Sequence, residues 1–180
     1  MNKKYGVVFI PRARSGDFIS LAGNNKVNAV SYCLGEASAP HVTICQFFYD
    51  SERISDLWVM LSNQLEQVQM TITFKTYSNV TFGRDLYWIS LLPEERGELE
   101  RLFSIISTYV KPTRTDLYDP HLTLFNYRKS RDFSPELVDG LSISDTFDLV
   151  VGEFDEVGQL VQVLTQNPME HPDLPESKLT

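Results

Sequence analysis

The chain has 180 residues, 42% of them hydrophobic and 22% charged, with a formal net charge of −8. That length allows one substantial core and excludes a comfortable split into two ordinary domains, and the composition excludes a disordered or fibrous chain. The acidic balance opposes wrapping a long polyphosphate but leaves room for a short nucleotide or a strand end.

Basic residues precede the apolar run Val7 to Ile10, which is too short for a signal-peptide core; no segment reaches bilayer-spanning length, so no membrane is expected. Residues 5–10 read as a buried strand stopped by Pro11. Residues 11–39 look like loops, apart from an alternating strand at 26–34. After the stretch PHVTICQF (40–47), Asp50 or Ser51 can cap a helix with Ile54, Leu57, Trp58, Leu61, Leu65 and Val68 on its buried face.

Residues 69–77 and 86–92 read as further strands. Pro93, followed by Glu94 and Glu95, opens a helix whose inward face is Leu99, Leu102, Phe103, Ile106 and Val110, and which ends at Pro112. A strand follows in PHLTLFNY (120–127), then a short helix at 135–141, then two strands turning near 155–158. The tail from Thr165, with His171, is expected to be flexible, and His171 a bystander. Cys33 and Cys45 read as two reduced thiols in a cytoplasmic protein rather than a disulfide framework. The sequon at 79–81 carries little meaning without secretion.

The chain repeats itself. His41 and His121 lie 80 positions apart in the same frame, Pro-His-apolar-Thr-apolar, and each follows an apolar strand at a similar offset. Two copies of one strand-rich unit related by a pseudo-twofold would bring both histidines to a shared groove. Strict alternation predicts that His41, Thr43, Cys45 and Phe47 share a face, opposite Val42, Ile44 and Gln46. It likewise sets His121, Thr123, Phe125 and Tyr127 opposite Leu122 and Leu124.

A lone histidine on an apolar strand is ordinarily a hydrogen-bonded core residue. Two in matched frames point to acid-base chemistry, most readily displacement at phosphorus. One imidazole takes a proton from the attacking oxygen, the other protonates the leaving oxygen, and Thr43 and Thr123 donate to the non-bridging oxygens. No metal is needed. Asp50 or Asp119 could join a histidine on an ion, but His-x-Thr supplies only one ligand per strand. Arg12, Arg14, Arg128, Lys129 and Arg131 could grip a phosphate or simply solvate loops. No phosphate-binding loop or nucleophile elbow is present.

These motifs, HVTI and HLTL, resemble those of the two-histidine phosphoesterase superfamily, which includes 2′-5′ RNA ligase-like proteins and cyclic phosphodiesterases. The resemblance spans residues 1–164, as pseudo-repeats of about 1–84 and 85–164, with 165–180 outside it. It implies an α/β (α+β) bilobal fold, with two antiparallel-rich sheets lining a concave cleft, helices outside and no metal; the chain is expected to be a monomer without cofactor. It also implies that His41 and His121 are catalytic and that Thr43 and Thr123 hold the phosphate. The implied substrate is a 2′,3′-cyclic phosphate or a 2′-5′ linkage of a nucleotide or RNA terminus. Tyr127, Phe47, Phe125 and Tyr118 are the candidates for stacking on a base. Segment 11–39 departs from the family in lacking a readable helix. The rival reading is a nucleotide-binding module with the same cleft and no turnover.

Overall fold

A computed structural model of the chain describes residues 1–65, 69–82, 85–114, 117–129 and 133–165. Among these the elements run β1 (Asn2–Pro11), α1 (Ser15–Gly23), a 3-10 turn (Lys26–Asn28), β2 (Ala29–Cys33), β3 (Val42–Asp50), α2 (Ile54–Gln64), β4 (Gln69–Phe82), β5 (Leu86–Pro93), α3 (Gly97–Ile106), β6 (Leu122–Arg128), β7 (Ile143–Phe154) and β8 (Leu160–Thr165). The fold is α+β. Its strands make one antiparallel sheet in the order β2-β6-β5-β4-β7-β1-β3, with β8 paired to β7.

The two expected sheets are the halves of this single ladder, β3-β1-β7 and β6-β5-β4. They are joined where the first half of β4 pairs with β7 while its second half pairs with β5. The rings of Phe18, Phe74 and Phe147 meet at this junction with centroids 5.7 to 6.0 Å apart, and all three are fully buried. Such contacts add to the 1.5–3 kcal/mol or so that each buried large side chain contributes.

The halves correspond in register. In β1/β3 the pairing runs Val7↔Cys45 and then Val8↔Thr43, skipping Ile44. In β5/β6 it runs Ile89↔Phe125 and then Ser90↔Thr123, skipping Leu124. Each motif strand therefore carries a bulge at the third residue after its histidine. The helices are exchanged between halves: α1, from the first, packs on β6, and α3, from the second, packs on β3. The outer edges follow suit, since β2 pairs with β6 and Pro112 bridges Phe47 on β3.

Four expectations change. The helix missing from 11–39 exists as α1, which buries Phe18 and Ala22. Its start is set from a distance, because the Asp145 carboxylate accepts the backbone N–H groups of Ala13 and Arg14 at 3.0 and 2.7 Å. Pro93 ends β5 instead of opening a helix: the ladder continues beyond it, with Glu94 N–H donating to Thr73 O at 2.8 Å, so α3 starts at Gly97.

Residues 135–141 form no helix, because the Asn25 side chain takes both backbone groups of Glu136 and Gly140 adopts φ +67°. The α2 helix begins at Ile54 after Arg53, which makes no side-chain cap bond. Asp50 instead accepts from Glu52 N–H and the N-terminal ammonium. Val68, Arg131 and the tail from 166 with His171 lie outside the described residues.

Candidate functional site

Each motif histidine is held by the residue two places before it. His41 Nδ1 lies 2.7 Å from the Ala39 carbonyl oxygen, and His121 Nδ1 lies 2.6 Å from that of Asp119. These oxygens belong to the X–Pro amides of Ala39-Pro40 and Asp119-Pro120. Proline bars the preceding residue from helical conformation, so the same local chemistry aims a carbonyl at the ring twice. A carbonyl can only accept, so Nδ1 carries the proton and Nε2 is the free nitrogen in the neutral ring.

The motifs are also tied to each other. Tyr118, three residues before His121, donates its hydroxyl to the Thr43 carbonyl at 3.0 Å and stacks on Phe103 of α3 with centroids 4.6 Å apart. His121 is close enough for its charge to push down the pKa of His41.

The bulges decide what joins the histidines. A bulge advances the alternation by one residue, so side chains beyond it change faces. Val42, Ile44, Cys45 and Phe47 all enter the main core, as do Leu122, Leu124, Phe125 and Tyr127. Thr43 and Thr123, ahead of the bulges, stay half-buried. Strict alternation therefore misplaces Cys45, Phe47, Phe125 and Tyr127. Phe47 and Phe125 are fully buried and present nothing to a base, and Tyr127 is 5% exposed, held between Tyr87 and Phe133. Tyr118 serves as the tie between motifs.

The face bearing the threonines has its own small apolar cluster of Val8, Val150, Phe154 and Leu160. Phe154 meets the His41 ring edge-on, with centroids 5.3 Å apart. In the second half the place of Val8 is taken by Ser90, which is buried and points its hydroxyl at Thr123 Oγ1 across 3.5 Å. Sequence reading missed Ser90 and Phe154. The signal for Ser90 was a polar residue inside the apolar run Ile89–Leu92, but its partner depends on the register.

The histidines are electrostatically unequal. Burial pushes His41 down to about 4, with the His121 charge adding to the effect and the Ala39 carbonyl opposing it. His121, with 34% of its side chain exposed, is also lowered by burial, against the Asp119 carbonyl and carboxylate, which raise it. The suggested phosphate grips are engaged elsewhere: Arg12 with Asp148, Arg14 with Asp17, Arg128 with Asp85, and Lys129 over Tyr87.

No helix among the described residues is long and apolar enough to cross a membrane. No family model matches the sequence, and no curated protein matches it. Solved structures do match. A phosphoesterase is 16% identical, with a TM-score of 0.59 over 92% of this chain and 97% of that one. Escherichia coli LigT in its apo form is 17% identical, with a TM-score of 0.57 over 92% and 96%. LigT complexed with 3′-AMP is 15% identical, with the same TM-score over 92% and 97%. At these identities the likeness is one of fold.

Proposed function

We propose that the chain is a metal-independent phosphodiesterase of the two-histidine superfamily, hydrolysing a 2′,3′-cyclic phosphate or 2′-5′ phosphodiester at a nucleotide or RNA end. The observation that carries this reading is the duplicated Nδ1–carbonyl contact, which gives both imidazoles the same tautomer and leaves each Nε2 free. One Nε2 takes a proton from water as its oxygen bonds to phosphorus. The other gives a proton to the leaving ribose oxygen as the P–O bond breaks, and the product is a monoester. Thr43 and Thr123 donate to the non-bridging oxygens, where charge grows. The fold shared with LigT, which has been seen complexed with 3′-AMP, supports a nucleotide ligand. The two free thiols suit a reducing, cytoplasmic setting.

The test is hydrolysis of nucleoside 2′,3′-cyclic phosphates in EDTA by the wild type and by His41→Ala and His121→Ala. Each substitution should lower kcat by about 100-fold or more. Unchanged turnover in both variants overturns the mechanism. AMP binding without any turnover by the wild type favours a binding module.

A further inference from the structure

The two motifs contain an internal comparison. Both histidines receive the same backbone contact from the residue two places before, but that residue is Ala39 in one motif and Asp119 in the other. Asp119 Oδ2 stands 3.9 Å from His121 Nδ1. Its other oxygen, Oδ1, accepts from Arg96 Nη2 at 2.9 Å, and Arg96, just ahead of α3, also lies 3.7 Å from Glu100. The carboxylate is thus held from two sides, by its place in the X–Pro turn and by a guanidinium anchored at a helix start.

We propose that Asp119, held by Arg96, is the positioning residue that makes His121 the member of the pair that carries the proton. Among the described residues, the charged and titratable groups acting on His121 are Asp119, Arg114, Arg96 and His41. Arg114, Arg96 and a protonated His41 repel an imidazolium, and among the described residues it is Asp119 that attracts one. Asp119 acts twice, by its own charge and by pairing with Arg96 at 2.9 Å, more closely than Glu100 does at 3.7 Å. Among the described residues His41 has no such carboxylate and it is the more deeply buried ring, so a single proton shared by the pair rests on His121. Two imidazoles with the same backbone contact, already unequal in exposure, thereby acquire different protonation states, as paired acid-base catalysis requires.

The meaning of this for turnover rests on the phosphodiesterase reading, but its test does not. Histidine Cε1 proton resonances of the full chain, without ligand, are followed against pH by NMR in wild type and Asp119→Asn. The expected result is a fall in the His121 midpoint on the order of half a unit, a roughly threefold loss of imidazolium, given the partial exposure of the pair. His41, whose own contacts are untouched, should stay within a few tenths. An unmoved His121 midpoint in a folded variant overturns the proposal.

Should Asp119→Asn fail to fold, Ala39→Asp supplies the complementary measurement at an exposed position. A His41 midpoint that rises supports the proposal, and one that stays put overturns it. Where cyclic phosphate is turned over, the matching limb of the pH–rate profile should move with His121. Titration shifts without turnover would sink the phosphodiesterase reading while leaving this one standing.

Discussion

Replacing Gly6 by alanine should disturb His41 from the far side of a phenylalanine ring. Gly6 faces Gly152 across β1/β7, and a Cβ there would lie 2.6 Å from Phe154 Cε2 and 3.3 Å from the Cys45 carbonyl oxygen. Carbon atoms sit best about 3.5–4.0 Å apart, so the ring must retreat by about 1 Å. It has little room, being 4% exposed and packed with Val8, Val150 and Leu160. Overpacking of this kind costs about 1–3 kcal/mol. The same ring meets His41 in a T-shaped contact, and on the proposed mechanism a misplacement of about 1 Å at His41 can cost up to about 100-fold in rate.

Urea denaturation and cyclic phosphate hydrolysis measure the two effects, and a double-mutant cycle isolates their cause. Phe154→Leu lacks Cε2, so Gly6→Ala in that background should cost only a few tenths of a kcal/mol. If alanine costs the same in both backgrounds, to within the roughly 0.5 kcal/mol expected of uncoupled sites, the steric reasoning is wrong.

Ser90→Ala should lower kcat about two- to tenfold, as expected for the loss of one modest hydrogen bond at Thr123. Single-turnover assays should show no further loss when it is added to Thr123→Val, and an undiminished additional effect would separate Ser90 from Thr123. Acid should weaken the fold partly through His41, whose folded pKa of about 4 lies below the unfolded value near 6.5. Its contribution is fully present above pH 6.5 and is lost as pH falls toward 4, for a total of about 3 kcal/mol. Urea midpoints at pH 7 and pH 4.5 should therefore fall less in His41→Asn than in wild type, and equal falls would contradict the assignment.

The parts of this molecule legible in the sequence are those written locally and twice. The pair of Pro-His-x-Thr frames identified the strands, the histidines and their correspondence, because an X–Pro turn acts within three residues. What escaped is decided at long range. The α1 helix starts where Asp145 reaches across the sheet to Ala13 and Arg14, and 135–141 is held out of helix by Asn25. The faces of Phe47 and Phe125 were misjudged because alternation is read along one strand, whereas a bulge exists only in relation to the neighbouring strand. Asp119 was visible as a carboxylate near a histidine, but its pairing with Arg96 required the fold.

Because β4 pairs with β7 over its first half and with β5 over its second, the two halves of the sheet are joined by a continuous ladder. Six residue pairs, Gln69–Phe74 against Ile143–Asp148, span the junction. At about 0.5–1.5 kcal/mol net per backbone bond, prising them apart would cost roughly 3–9 kcal/mol before the three buried rings are counted. On the phosphodiesterase reading, a closing motion that broke this junction would add that cost to every turnover, so the reading expects the two motif strands to meet their substrate as parts of one continuous sheet.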